Sequence, residues 1–319
     1  MKDKPLRIVF MGSPEFSLPC LKQIAEDKDF QIVSVYSMPD KPKGRGKTLS
    51  PTPVKEMALK YGFEVRTPKS FKKEPEEIEV LKSFKPDYLV VVAYGLILPQ
   101  AVLDIPTIAS INLHASILPK YRGAAPMQYA IMNGEKETGN TVMLMSKGMD
   151  EGDILAIEKI PITNNDDLES IHDTLSIKGA GLLSKTLKEY AANKIRPIPQ
   201  DHEKATYTGK IDSQTACISW EKPAQEIRNL IYAMSPFPGA WFSDKNERIK
   251  VFRANINQTK SDLPPGTVIE QNEEGINIVC GDSKVLSITE LQRAGKNRMK
   301  VSDFLRGYKL VSTNLHREI

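Results

Sequence analysis

Through the first 190 residues, apolar β-branched runs alternate with stretches whose apolar positions recur at helical spacing. That is the pattern of βα units around a mostly parallel sheet. Leu6 to Met11 predicts the first strand, Gly12-Ser13-Pro14 a turn, and Phe16 to Ala25 a helix. Further strands are predicted at Phe30 to Tyr36, Asp87 to Ala93, Ile108 to Leu113 and Thr141 to Met145. The run DYLVVVA at 87–93 is almost uniformly apolar, as expected of a strand covered on both faces. Leu168 to Ala192 predicts one long helix, or two short ones broken near Gly179 and Gly181.

After residue 192 the rhythm changes. Residues 193–207 are polar and contain Pro197 and Pro199, the composition of a linker. Beyond them, short strand candidates at Cys217 to Trp220, Ala240 to Phe242, Ile249 to Ala254, Thr267 to Glu270, Ile276 to Cys280 and Val285 to Leu291 are separated by turn residues. The expected organisation is therefore an α/β, Rossmann-like domain over 1–192, a linker over 193–207, and a small C-terminal β-barrel of OB-like topology over 208–319. A chain of 319 residues is long enough for two cores.

Composition is that of an ordinary globular protein, with 40% hydrophobic and 26% charged residues. No window approaches the roughly 18 uninterrupted apolar residues of a membrane span, and no apolar signal core follows the first lysines, so a cytoplasmic protein is expected. Cys20, Cys217 and Cys280 lie far apart, in neither disulfide nor zinc spacing, and are read as structural thiols. None of the four histidines has a metal-ligand partner at helical spacing, so no metal is expected.

The net charge of +4 is unevenly placed: residues 1–203 carry 27 basic and 27 acidic side chains, residues 204–319 carry 17 and 13. One basic cluster is Lys41, Lys43, Arg45 and Lys47; the other, near the C-terminus, includes Arg293, Lys296 and Arg298. Each could be a solvated face or a surface for a polyanion.

Two nucleotide motifs fail on inspection. Gly46-Lys47-Thr48 looks like the end of a phosphate loop, but Lys41 stands where its leading glycine belongs, and Pro51 and Pro53 interrupt the helix that should follow. The turn after the first strand has Gly12 alone, without the three glycines of a dinucleotide fingerprint.

The informative segment is SINLHASILPKYRGAAPMQ, residues 110–128. Asn112 and His114 are two apart at the end of an apolar run, so on a strand they share a face. The carboxyl end of a parallel strand opens into the usual ligand crevice. Taken singly, each is commonly a turn or structural residue. The acidic, glycine-bearing loop GMDEGD at 148–153 adds Asp150, a carboxylate able to orient and polarise an imidazole. Amide, imidazole and carboxylate together can serve acyl transfer.

At these residues the chain resembles the folate-dependent formyltransferases: Asn112-x-His114-x-Ser116, then Leu118-Pro119, with Asp150 following the histidine by 36 residues. The resemblance runs through FMGSPEFSLPCL, PKGRGKTLSPTPVK, VVVAYGLILP, ETGNTVMLMSKGMDEGDIL and LQRAGKNRMKVSDFL, and is closest to the tRNA-modifying branch. It implies that Asn112, His114 and Asp150 are catalytic and that Ser116, Ile117, Leu118 and Pro119 bind folate. The implied donor is 10-formyltetrahydrofolate, with the amino group of initiator methionyl-tRNA as acceptor. It also implies that Lys41, Lys43, Arg45 and Lys47 approach the acceptor stem, and that the C-terminal domain, with Arg293, Lys296 and Arg298, helps hold tRNA. Ala115 and Ile117 replace residues frequent in the family by conservative change. A monomer is expected. The rivals are an enzyme of the same fold acting on the amine of a sugar nucleotide, and a nucleic-acid-binding protein that has lost activity.

Overall fold

The computed structural model describes residues 4–43, 48–311 and 314–315, with Lys43 described in its backbone alone. The chain divides into two compact units: residues 1–123, 138–160 and 172–207 form the first, and residues 124–137, 161–171 and 208–319 the second.

The first unit is built on a seven-stranded sheet. Its strands are β1 (Leu6–Gly12), β2 (Phe30–Tyr36), β3 (Val65–Arg66), β4 (Tyr88–Val92), β5 (Ala109–His114), β6 (Glu137–Leu144) and β7 (Ile154–Pro161), in the order β7-β6-β5-β4-β1-β2-β3. The pairs β1–β2, β1–β4, β2–β3 and β4–β5 are parallel, and β5–β6 is antiparallel. The chain thus builds outward from β1 through β2 and β3, then returns to its other side with β4, the reversal at which open α/β sheets form a crevice.

Helices cover the sheet on both faces: α1 (Leu18–Glu26), α2 (Pro53–Lys60), α3 (Glu76–Ser83) and α4 (Leu168–Ala191). Val9, Met11, Leu89 and Val91 pack with Phe71, Leu81 and Val102 on one side. From the opposite face of β4 the buried Tyr88 hydroxyl donates to the Leu187 carbonyl of α4 at 3.0 Å. All five residues of β4 are buried, as its uniformly apolar sequence requires. Cys20 is buried in α1, and burial pushes its thiol up to about 12, so it stays an unreactive packing group.

In the second unit, β8 (Ala240–Asp244), β9 (Glu247–Lys260), β10 (Val268–Asn272), β11 (Gly275–Val279) and β12 (Lys284–Arg293) pair antiparallel in the order β8-β9-β12-β11-β10. Lys245 and Asn246, both at positive φ, make the two-residue turn between β8 and β9. Helix α5 (Ala224–Ala233) buries Ala224, Ile227 and Ile231. These buried positions recur at helical spacing amid the short strand runs of this unit. Cys217 to Trp220 is no strand: Cys217 makes a single parallel bridge to Trp241.

The predicted strands Leu6 to Met11, Phe30 to Tyr36, Asp87 to Ala93 and Ile108 to Leu113 lie within a residue or so of β1, β2, β4 and β5, while Thr141 to Met145 extends back to Glu137 in β6. Edge strand β7 was not anticipated; it buries only Leu155 and Ile160, too few positions for a clear period. Helix α4 is continuous through both glycines. A Cβ at Gly179 would lie 2.8 Å from Leu113 Cδ2 and 3.1 Å from Asn140 Nδ2, whereas one at Gly181 would meet nothing. Gly179 therefore lets the helix approach β5, and Gly181 contributes only backbone freedom to the unfolded chain. Gly179→Ala is expected to destabilise the protein by about 1–3 kcal/mol, and Gly181→Ala to stabilise it by about 0.5–1 kcal/mol, both read by urea denaturation.

Candidate active site

The three sequence-predicted catalytic residues come together in the first unit. Asn112 and His114 stand on β5, opposite Met143 and Thr141 of β6, and Val91 of β4 flanks Asn112 on the other side. Asp150 lies in the loop between β6 and β7, with φ of +51°. Asp150 Oδ2 accepts from the Gly123 backbone N–H at 2.8 Å and lies 3.6 Å from His114 Nδ1. The other oxygen, Oδ1, is 3.4 Å from Asn112 Nδ2, a long contact that leaves the amide free to donate elsewhere.

His114 is 6% exposed, and its Nε2 is 2.9 Å from the Tyr121 carbonyl. A carbonyl can only accept, so Nε2 carries the hydrogen. Both ring nitrogens thus face acceptors, and a protonated ring can donate on both sides. Tyr121, at φ +61°, turns its carbonyl onto the ring, and its own N–H donates to Thr206 Oγ1 at 2.8 Å. The loop after β5 therefore closes back on the site twice, at Tyr121 onto the imidazole and at Gly123 onto the carboxylate.

The folate-binding candidates are held by β6. Thr141 Oγ1 donates to the Ser116 carbonyl at 2.7 Å and accepts from the Leu118 N–H at 3.1 Å. The Ser116 hydroxyl donates to the Lys120 carbonyl at 2.7 Å, and Ser116 is fully buried. Leu118 is also buried, leaving Ile117 and Pro119 as the half-buried members of the four. Gly139 of β6 is needed beneath this loop, because a Cβ there would lie 2.3 Å from the Glu158 carbonyl oxygen and 3.1 Å from Ile117 Cγ1.

The basic candidates fare differently. Lys41 is exposed on a short hairpin in which Lys41–Lys43 pairs antiparallel with Thr48–Ser50. The Lys43 side chain, Arg45 and Lys47 lie outside the described residues. In the second unit, Arg293 donates twice to Glu247, at 2.8 Å each, and stacks 3.9 Å from the Tyr308 ring centroid. Arg298 donates twice to Glu290 and lies 4.8 Å from the Phe252 ring centroid. Both are paired with carboxylates on the sheet; Arg293 is half-buried, while Arg298 and Lys296 are exposed.

The sequence reading passed over Gly123, Thr141, Thr206, Arg122 and Gln200. Only Gly123 carried a signal, as a glycine in a turn-rich stretch beside the motif. Among the described residues, no group of three or more His, Cys, Asp or Glu side chains is placed to hold a metal ion, and no helix is long and apolar enough to cross a membrane.

Toward the carboxyl end of β5 an amide, an imidazole and a carboxylate come together, Asp150 lying 3.4 Å from Asn112 and 3.6 Å from His114, and these are groups that acyl transfer can use. The chain belongs to the formyl transferase family: it matches the family described as Formyl transferase over residues 6–187, and Formyl transferase, C-terminal domain, over residues 210–309. It is similar to the methionyl-tRNA formyltransferase of Clostridium novyi, 46% identical over 302 residues that cover 95% of this chain and 97% of that one. The methionyl-tRNA formyltransferase of Bacillus subtilis is 42% identical over 301 residues, covering 94% of each chain. Among solved structures, an N-formyltransferase from Helicobacter canadensis shares the fold at 21% identity, with a TM-score of 0.66 over 89% of this chain and 99% of that one.

Thr141 satisfies two buried backbone groups of the loop after β5, so the near-isosteric Thr141→Val leaves both unpaired. It is expected to destabilise the protein by about 2–3 kcal/mol, measured by urea denaturation.

Proposed function

We propose that this protein transfers the formyl group of 10-formyltetrahydrofolate to the amino group of initiator methionyl-tRNA, giving N-formylmethionyl-tRNA. The observation that carries the reading is Asp150 Oδ2 set between the Gly123 N–H and His114 Nδ1, beside the Asn112 amide. The likeness to methionyl-tRNA formyltransferases along nearly the whole chain supports formyl transfer to a methionyl-tRNA acceptor. The protein acts as a cytoplasmic monomer.

In this reading the neutral methionyl amine attacks the formyl carbon. A C–N bond forms, the carbonyl electrons move onto oxygen, and the C–N bond to the folate then breaks as the carbonyl re-forms. The amine loses a proton and the folate nitrogen gains one. The Asn112 amide donates to the oxyanion, and the His114 ring stabilises it electrostatically, with Nε2 tied to the Tyr121 carbonyl and Nδ1 turned to Asp150. Asp150 orients the imidazole and relays the proton from the amine toward the leaving nitrogen. Ser116 and Leu118 shape the folate-binding loop from within, and Ile117 and Pro119 offer it surface. Lys41, Lys43, Arg45 and Lys47 bind the acceptor stem, and Lys296, with Arg293 and Arg298 at its sides, adds positive potential in the second unit.

The deciding experiment offers the protein 10-formyltetrahydrofolate with charged initiator tRNA in one arm and an amino-sugar nucleotide in the other. Formylmethionyl-tRNA is the expected product. Formylation of the sugar nucleotide alone, or of neither acceptor, overturns the reading.

Asn112→Ala is expected to lower kcat about 100- to 1,000-fold, and Asp150→Asn at least as far, with folate affinity nearly unchanged by titration. Turnover near that of the parent in Asp150→Asn would remove that residue from the mechanism. For the basic cluster, replacing Lys43, Arg45 and Lys47 with alanine is expected to raise KM for tRNA and to reduce the log–log salt dependence of tRNA binding by roughly 3. An unchanged slope would leave the cluster as a solvated face.

A further inference from the structure

Gln200 lies in the polar stretch after α4, fifty residues from Asp150, yet it is 5% exposed and both ends of its carboxamide are engaged at the site loop. Nε2 donates to the Asp150 carbonyl at 2.9 Å and to the Gly152 carbonyl at 2.7 Å. Oε1 accepts from Arg122 Nε at 3.2 Å and Nη2 at 2.8 Å. Two carbonyls can only accept and a guanidinium can only donate, so the amide has one possible orientation, and all four of its hydrogen-bonding positions are filled.

Arg122, 1% exposed, precedes Gly123, whose N–H holds the Asp150 carboxylate. Its guanidinium also donates to the Tyr207 hydroxyl at 3.2 Å and lies 3.2 Å from His202 Nδ1. Its backbone N–H donates to the Thr206 carbonyl at 2.8 Å. The same stretch is anchored at its start, where Ile154 and Ile198 exchange two backbone hydrogen bonds of 2.8 and 2.9 Å.

These contacts converge on an unfavourable backbone. Asp150 sits at φ +51°, in the left-handed region, which aspartate reaches more readily than most residues with a Cβ but still at a free-energy cost that the surrounding contacts offset. Gly152 is confined as well, since a Cβ there would lie 1.9 Å from the Leu144 carbonyl oxygen. Relaxing Asp150 would rotate its carbonyl away from Gln200 and swing the carboxylate off Gly123 and His114.

We propose that Gln200 is a positioning residue for the reaction. With Arg122 it clamps Asp150 in the left-handed conformation, so that one buried amide sets where the carboxylate meets the imidazole. This rests on the formyl-transfer reading for its catalytic consequence, though not for its geometry. Gln200 touches neither substrate in this role and acts through Asp150 alone.

The test uses the full chain. Gln200→Glu keeps an acceptor for Arg122 and places an oxygen against the two carbonyls, while Gln200→Met is near-isosteric and removes all four bonds without adding charge. The pair is made together so that a folding failure in one leaves the other to decide. Either folded variant is expected to lose about 100-fold in kcat, with KM for both substrates within threefold of the parent. In the Asp150→Asn background, the same change is expected to cost less than threefold further, because the residue it positions is already disabled. Amide hydrogen exchange at Gly123 is expected to quicken at least tenfold in the variants without any substrate present. Parent-like kcat in both variants, or losses that multiply in the double variant, overturn the proposal. If the parent itself formylates neither acceptor, the formyl-transfer reading fails. The exchange rate at Gly123 then decides the clamp on its own: quickened exchange supports it and parent-like exchange overturns it.

Discussion

The first unit is organised around one carboxylate oxygen, Asp150 Oδ2, which accepts from the Gly123 N–H at 2.8 Å and faces His114 Nδ1 at 3.6 Å. Three separate pieces of chain meet there: the end of β5, the loop that follows it, and the loop between β6 and β7. None of them could hold the geometry alone. The strand supplies a rigid base, and the two loops are fixed by hydrogen bonds to groups that are buried and must be satisfied.

The antiparallel β5–β6 pairing makes this possible. Its register sets His114 opposite Thr141 and Asn112 opposite Met143, so the strand carrying two site residues lies beside the one carrying the hydroxyl that pins Ser116 and Leu118. The reversed strand β6 runs from the carboxyl end of β5 toward its start, Leu144 lying opposite Ile111, and residues 145–150 turn back to set Asp150 beside Asn112 and His114. Glycine at 139 and 179 permits the close approaches on which this packing depends, one beneath the loop at Ile117 and one between α4 and Leu113.

Charge in the second unit is less free than its composition suggests. Counted along the sequence, the segment near Arg293 and Arg298 has almost no acid of its own. Folding pairs these residues with Glu247 and Glu290, from a neighbouring strand and from β12 itself, and stacks them on Tyr308 and Phe252. A cation held in this way is weaker bait for a polyanion than an exposed one such as Lys296, because its field is already compensated.

The sequence by itself determined the elements and the chemistry that are local. A uniformly apolar run made DYLVVVA legible as β4, period two set Asn112 and His114 on one face, and the resemblance to the folate-dependent formyltransferases marked Asp150 as a third member of the same site. Local patterns carry the first two because strand and helix period and turn composition are properties of neighbouring residues. What the tertiary structure decided was long-range: that α4 passes unbroken through Gly179, that Glu247 reaches Arg293, and that a stretch with the composition of a linker delivers Gln200 and Thr206 to the site. No local pattern announces a glutamine whose partners lie fifty and seventy-eight residues away. Its place follows only from the need of buried carbonyls, a buried guanidinium and a left-handed Asp150 to be satisfied together.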